Sequence, residues 1–225
     1  MAIKLTTTHD AARLHGVKFL IYGGAGVGKT KLCATAPEPI IISAEAGLLS
    51  LRDSNIPVIQ VANLKDLGEA YEFVKSSAEA KDFQTVCLDS LSEIGETCLT
   101  AERASTNDPR KAYGEMQDRM MQTVRLFRDL EGRHVYFSAK LERQEDDHKV
   151  VTYQPGMPGR QVGPALPYLF DEVFAFRAEE DAEGNIQRWL QAQPDKQYVA
   201  KDRSGRLERF EEPNLTNIIT KIIEE

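Results

Sequence analysis

Near its start the chain carries a glycine-rich octet whose residue types suit phosphate chemistry: Gly23-Gly24-Ala25-Gly26-Val27-Gly28-Lys29-Thr30. Glycines allow backbone N–H groups to turn inward around an anion. Lys29 would neutralise the β- and γ-phosphates of a nucleotide, and the Thr30 hydroxyl would ligate Mg²⁺. The octet, together with the following Lys31, therefore predicts a binding loop for ATP and Mg²⁺.

The flanking residues supply the elements that such a loop needs. Upstream, the apolar run from Val17 to Tyr22 is typical of a buried strand. Downstream, residues 31–36 suit a helix that must end near Pro37 and Pro39. The order of strand, glycine loop and helix is the context in which the pattern indicates phosphate binding.

Two carboxylates are candidates for the remaining chemistry. Asp89 ends the apolar strand Thr85–Asp89, and strand C-termini are where ligands lie in a parallel sheet. We expect Asp89 to hold Mg²⁺ through water, with help from Ser90; the alternative is an Asp-Ser pair that merely begins a turn.

The residue after Asp89 is Ser90, so the carboxylate that many ATPases carry there is missing. Glu45 follows another apolar strand, Ile40–Ser43, and a carboxylate at that strand's end can face the γ-phosphate. We therefore predict that Glu45 activates the attacking water. A solvated loop glutamate is the alternative.

Further strands and helices alternate along the first two thirds of the chain. Strands are predicted at 58–61 and 134–138, and helices at 65–80 and from Asp108-Pro109 to about 131. The second helix carries an apolar stripe that we interpret as core, and Gly132 suits its end. The stripe consists of Met116, Met120, Val124, Phe127 and Leu130.

The last third of the chain has a different pattern. Residues 144–167 read as a long polar loop, and short strands at 173–176, 186–190 and 197–200 suggest an antiparallel extension of the sheet. Residues 215–223 form an amphipathic helix that should pack on the domain's own sheet. The predicted fold class is α/β, with a mostly parallel central sheet flanked by helices and an antiparallel C-terminal extension.

Composition limits the classes of protein. The 225 residues suit one large domain, 17–225, preceded by an arm at 1–16, and no apolar run is long enough to span a membrane. We expect no secretory signal, and three cysteines without metal-like spacing favour reduced core thiols in the cytoplasm. The net charge of −7 argues against nucleic-acid binding without excluding a local basic patch.

At this point the chain resembles the RecA-type recombinase core. The phosphate loop, Ile42-Ser43-Ala44-Glu45-Ala46-Gly47-Leu48 and Leu88-Asp89-Ser90-Leu91 occur in that family's order. The resemblance implies a RecA-like P-loop NTPase fold and a catalytic role for Glu45. The family usually has a glutamine that senses the γ-phosphate where Lys140 stands; this residue departs from the family's pattern, and a lysine there can still contact a phosphate.

The same resemblance implies two DNA-binding loops. The first would be residues 97–110 with Arg103, Arg110 and Lys111 on DNA phosphates. The second would be 144–167, where Lys149 and Arg160 hold phosphates and Tyr153 stacks on a base. The alternative is that both stretches are polar loops without a ligand.

Lys201 and Arg203 resemble the family's pair of basic residues that reach the γ-phosphate of a neighbouring subunit. A core of this length, without the extra domains of full-length recombinases, resembles the phage-encoded RecA-like single-strand annealing proteins. That resemblance implies an ATPase that binds single-stranded DNA, anneals it during recombination, and assembles as a homo-oligomer with ATP between subunits. It also implies cooperation with an ssDNA-binding protein and a location in the host cytoplasm.

Two other classes remain open on the sequence. A P-loop ATPase that acts on proteins, as a regulator or motor, would fit the acidic charge. A small-molecule kinase would share the phosphate loop, but the chain shows no clear arginine-rich lid. Residues 2–5 would link neighbouring subunits by adding a strand to a sheet, if the oligomer forms.

Overall fold

The computed structural model describes residues 5–8, 10, 15–45 and 47–223. Its helices, numbered in chain order, are α1 (Lys29–Leu32), α2 (Leu64–Ser76), α3 (Leu91–Ser105), α4 (Pro109–Arg128), α5 (Val162–Ala165) and α6 (Leu215–Ile223). Short 3₁₀ turns lie at Cys33–Thr35, Leu49–Leu51 and Leu166–Leu169. The strands are β1 (Lys18–Gly23), β2 (Pro39–Ser43), β3 (Val58–Gln60), β4 (Thr85–Asp89), β5 (His134–Glu145), β6 (Val151–Gly156), β7 (Glu172–Glu180), β8 (Ile186–Gln191), β9 (Lys201–Asp202) and β10 (Phe210–Glu211).

These strands form one sheet with the order β10-β8-β7-β1-β5-β4-β2-β3, with β6 paired to β5 and β9 to β7. The strands from β7 to β3 run parallel, and β6, β8, β9 and β10 are antiparallel additions. The predicted fold class is therefore confirmed. β1 lies between β7 and β5, so the chain that leaves β1 has neighbours on both sides.

Helices cover both faces of the sheet. α2, α3 and α4 pack on one face around Phe137, and α1 and α6 pack on the other around Ile21. The stripe predicted on α4 is buried as core, and Leu215, Ile218 and Ile219 of α6 are buried against the chain's own sheet. Both predictions are confirmed.

Helix ends follow local chemistry. The Asp108 carboxylate accepts a hydrogen bond from the backbone N–H of Arg110 and caps α4, as the Asp-Pro pair predicted. Gly132, just after α4, has φ +67°, a conformation that glycine adopts without strain. Cys33, Cys87 and Cys98 are buried free thiols, as expected for core residues.

The prediction of loops at 97–110 and 144–167 is wrong, because both stretches consist mostly of helix and strand. Residues 97–105 are helical because α3 buries Ile94, Cys98 and Leu99 at helical spacing. Residues 144–156 belong mostly to the β5–β6 hairpin, whose turn is closed by the Asp146 carboxylate accepting from the N–H groups of His148 and Val150. Only short connections remain irregular in these stretches.

The C-terminal strands also differ in detail from expectation. Residues 197–200 form no regular strand; Tyr198 makes a single bridge to Tyr153, and pairing resumes at β9. Of the proposed linking strand, residues 2–4 lie outside the described residues, and Leu5 is 91% exposed. No helix in the described ranges combines the length and the apolar character needed to cross a membrane.

Candidate nucleotide-binding site

The glycine-rich loop joins β1 to α1 at the carboxyl edge of the sheet. Gly26 and Gly28 have φ values of +73° and +115°, which side-chain-bearing residues rarely adopt. The Phe176 ring on β7 packs under the loop: a Cβ placed on Gly28 would lie 3.5 Å from it. The sequence folds this way because β1 is buried along its whole length and only glycines permit the turn that follows.

Lys29 begins α1 and points back into the loop. Its Nζ donates to the carbonyl oxygens of Gly23 (2.8 Å) and Gly24 (2.9 Å). Burial lowers the pKa of Lys29, while the nearby carboxylates of Asp89 and Glu45 oppose that shift. The amine therefore lies where a phosphate would replace the loop carbonyls as its partner.

Asp89 ends β4 and meets both neighbouring elements. Its carboxylate accepts from the Thr30 hydroxyl at 2.5 Å and from the Ser138 hydroxyl on β5. Hard oxygen ligands of this kind, one hydroxyl and one carboxylate in contact, fit Mg²⁺. Ser138 was not among the predicted site residues, because its contact with Asp89 depends on the pairing of β5 with β4.

Glu45 follows β2, which pairs with β4 so that Ser43 lies beside Asp89. Its Oε1 accepts a hydrogen bond from the Ser90 hydroxyl at 2.6 Å. Ser90 also caps the N-terminus of α3. Ser90 therefore orients Glu45, a different role from the expected help at the metal. Two predicted residues, Glu45 and Asp89, are brought together by adjacent strands.

Lys140 lies in β5, level with Gly23 at the end of β1. Its Nζ lies 3.1 Å from a Glu93 carboxylate oxygen on α3, and its backbone N–H donates to the Ser92 hydroxyl at 2.9 Å. The Ser92 hydroxyl in turn donates to the Gly156 carbonyl at 2.6 Å. Lys140 thus lies at the rim of the loop and is tied to α3 and to the β5–β6 hairpin.

A cavity of about 860 Å³ opens above the loop. Residues 23–32 line its floor, and on one side of β1 its wall is formed by Glu45, Asp89 and Lys140. On the other side the wall is formed by residues that sequence reasoning did not single out: Thr35, Phe176, Arg188 and Pro213. This volume is of the size that small-molecule ligands occupy.

Lys201 and Arg203 do not line this cavity. The Lys201 Nζ donates to the carbonyls of Phe170 (2.6 Å) and Pro167 (3.2 Å), and burial lowers its pKa. Arg203 pairs with Asp171 at 2.7 Å. Their predicted role concerns a neighbouring subunit and stays a prediction.

Four of the six predicted DNA contacts belong to one region. Arg103 at the end of α3 donates to the Tyr113 hydroxyl of α4 at 2.9 Å, and its guanidinium lies 5.3 Å from the ring centre. Gly159 lies close to the same ring, because a Cβ placed on it would be 3.3 Å from Tyr113. Arg160 is the next residue along the chain and is therefore near Tyr113 as well. We call the group Arg103, Arg110, Lys111 and Arg160 the basic patch.

The other two predicted DNA contacts lie on the hairpin. Lys149 is in the turn between β5 and β6, at the opposite end of β6 from Gly156. The Tyr153 ring stacks on Tyr198 with centroids 4.8 Å apart, which occupies one of its two faces. A base would have to use the other face of Tyr153.

Comparison with known proteins gives one family. A family model described as an AAA domain matches residues 15–204. No protein of curated function matches the chain. A solved structure of a KaiC-like protein from the hyperthermophilic archaeon Pyrococcus horikoshii aligns with 78% of this chain and 77% of its own, at 14% identity and a TM-score of 0.43, a likeness too distant to support an argument. Because the family model covers most of its length and the phosphate loop is intact, the chain belongs to the AAA domain family and is a P-loop ATPase.

Proposed function

We propose that this protein hydrolyses ATP and uses the nucleotide to control binding of single-stranded DNA, as a homo-oligomer that promotes annealing or strand pairing. The observation that supports it most directly is the arrangement around α3. Ser90, which orients Glu45, caps the N-terminus of this helix, and Arg103 of the basic patch lies in its last turn. Nucleotide chemistry and the predicted DNA contacts are thereby joined by one rigid element.

The residues of the cavity have distinct roles in this proposal. The loop N–H groups and Lys29 hold the phosphates of ATP, with Lys31 beside them. Glu45 accepts a proton from the attacking water, and Ser90 keeps its carboxylate in place. Lys140, which lines the same cavity, contacts the γ-phosphate from the far rim in exchange for its Glu93 partner.

The metal requirement follows from the donors present. Mg²⁺ held by the Thr30 hydroxyl, and through water by Asp89, would neutralise charge on the β- and γ-phosphates. The Ser138 hydroxyl fixes one carboxylate oxygen of Asp89. The other oxygen meets Thr30, so the carboxylate is oriented towards the cavity before any ligand arrives.

A second connection joins the rim of the cavity to the patch. Lys140 and Gly156 both bond to the Ser92 hydroxyl, and the chain runs from Gly156 directly to Arg160. Gly95 of α3 lets this segment approach closely, because a Cβ there would lie 2.9 Å from Pro158. A movement of Lys140 at the γ-phosphate would therefore be transmitted to α3, which carries Arg103, and to the segment from Gly156 to Arg160.

The basic patch suits a phosphate backbone. Arg110 and Lys111 lie in the first turn of α4, whose N-terminus adds its positive dipole end. Tyr113, 36% exposed, lies among them and offers an aromatic surface.

Lys201 and Arg203 would complete the ATP site of a neighbouring subunit. To do so, Lys201 must leave its carbonyl partners and Arg203 must leave Asp171.

The patch can be tested with the variant Arg110→Gln/Lys111→Gln/Arg160→Gln. Each phosphate contact on single-stranded DNA contributes about 0.7 to the slope of log K against log salt concentration, so losing three should lower the slope by about 2. Fluorescence anisotropy of a labelled oligonucleotide in Mg²⁺ and ATP, over a salt series, measures this slope. ATP hydrolysis without DNA should be unchanged.

The matched control is Lys65→Gln/Lys75→Gln/Lys81→Gln, which removes the same charge on and just after α2. It should leave the slope as in the wild type. Equal slopes for the patch variant and the wild type would contradict the assignment of the patch. Hydrolysis of ATP with no DNA binding by the wild type would favour the alternative function, an ATPase directed at proteins, which the net charge of −7 also favours.

A further inference from the structure

The cavity has two ends, and their chemistry differs. Glu45 follows β2, and Asp89 and Lys140 belong to β4 and β5; all three strands lie on one side of β1. On the other side lie β7 and β8, which contribute Phe176 and Arg188. If the γ-phosphate faces Glu45, the triphosphate crosses the loop and the nucleoside lies at the second end. This step rests on the proposed function, because it requires ATP in the cavity.

The second end is built by parts of the chain that are far apart in sequence. Thr35, just after α1, accepts from the backbone N–H of Leu215 at 2.9 Å, and its carbonyl accepts from the Thr216 hydroxyl at 2.6 Å. These bonds hold the start of α6, and with it Pro213, against α1. The result is a largely apolar floor, with Leu32 and Pro213, suited to the face of a base.

Arg188 is the cation at this end. It lies on β8 opposite Ala178 of β7, on the same face of the hairpin as Phe176. Its Nε donates to the carbonyl of Val27 in the phosphate loop at 3.1 Å, the single hydrogen bond that its guanidinium makes within the described part of the chain. The two terminal nitrogens therefore remain available to a ligand, and the residue is exposed.

We propose that Arg188 binds the nucleoside of ATP in the same subunit, with its guanidinium plane against the base. A planar guanidinium stacks on aromatic rings, which a lysine ammonium cannot do. The bond from Nε to Val27 fixes the plane at the edge of the loop while leaving the rest of the group to the ligand. Arg188 is then a binding residue that sets affinity for the nucleoside and is indifferent to the γ-phosphate.

The proposal is tested with Arg188→Ala by calorimetric titration of ATP, ADP and tripolyphosphate, the last having no nucleoside. Affinity for ATP and for ADP should fall by about tenfold each, and affinity for tripolyphosphate should not change. Arg188→Lys should behave nearly as Arg188→Ala, because charge alone does not stack. Arg125→Ala on α4 is the control for loss of an exposed arginine and should change none of the three ligand affinities.

Three results would overturn the proposal. A loss for ATP but not for ADP would place Arg188 at the γ-phosphate. Loss of affinity for all three ligands would mean that Arg188 only shapes the loop through Val27. Unchanged affinity for all three would show that Arg188 does not contact the nucleotide. If the wild type bound no ATP, this inference and the proposed function would fail together; if it bound ATP but no DNA, only the proposed function would fail.

Discussion

Replacing Glu45 by glutamine should lower the rate of ATP hydrolysis by about 10²–10⁴-fold, the usual contribution of a positioned general base. Glutamine keeps the size of the side chain and can still accept from the Ser90 hydroxyl, so the local structure should be retained. Affinity for ATP should therefore stay near the wild-type value. The measurement is steady-state hydrolysis at saturating ATP, with nucleotide affinity determined separately.

Ser90→Ala is the companion to that experiment. It removes the hydrogen bond that orients Glu45 but leaves the carboxylate, so the rate should fall less than in Glu45→Gln. Glu79→Gln, an exposed site beyond α2, controls for loss of a carboxylate and should hydrolyse ATP normally. Wild-type hydrolysis by Glu45→Gln would contradict the assignment and return Glu45 to the alternative of a solvated loop residue.

Replacing Asp89 by asparagine should raise the Mg²⁺ concentration needed for half-maximal hydrolysis by about 10–100-fold, the range found when a group that supports a metal is removed. The cause is loss of the negative charge that faces Thr30. Asparagine has one oxygen instead of two, so it accepts from only one of the Thr30 and Ser138 hydroxyls. Hydrolysis measured across a Mg²⁺ titration gives the shift.

The Asp89 side chain is buried, so folding of the variant is checked by thermal unfolding. Binding of nucleotide in the absence of Mg²⁺ should be retained, because Lys29 and the loop remain. Asp82→Asn, exposed in the segment before β4, is the matched control. An unchanged Mg²⁺ requirement in Asp89→Asn would show that Asp89 does not hold the metal.

The arrangement of the candidate nucleotide site was largely predictable because its parts obey short-range and topological rules. A glycine loop followed by Lys29 carries its geometry in consecutive residues. Glu45 and Asp89 are far apart in sequence, yet each follows a buried strand, and parallel strands end at one edge of a sheet. That rule brings both carboxylates to the loop without knowledge of side-chain contacts.

Ser138 and Arg188 were missed for a different reason. Each lies within a strand, and its contact with Asp89 or Val27 depends on which strands are neighbours. Strand order is set by long-range packing, which local patterns do not reveal. The apolar residues around Ser138 concealed a polar contact in the buried part of β5, residues 135–139.

The errors in the predicted DNA loops have local causes. The first loop was placed by the resemblance alone, whereas Leu91, Ile94, Cys98 and Leu99 follow helical spacing and belong to α3. In the hairpin, Asp146 supplies the turn and the β-branched run that follows it supplies the strand. Of the residues proposed for DNA, Lys149 and Arg160 lie in short connections, and the others lie on helices or strands: Arg103, Arg110, Lys111 and Tyr153.

The central claim is that nucleotide controls binding of single-stranded DNA, and anisotropy of a labelled single-stranded oligonucleotide tests it most directly. Wild type and Lys29→Ala are titrated with Mg²⁺ and ATP, with a non-hydrolysable analogue, and without nucleotide, at two salt concentrations. We predict binding that needs ATP or its analogue, weakens with salt, and is absent in Lys29→Ala. Equal binding with and without nucleotide, or no binding by a wild-type protein that still hydrolyses ATP, would contradict the account.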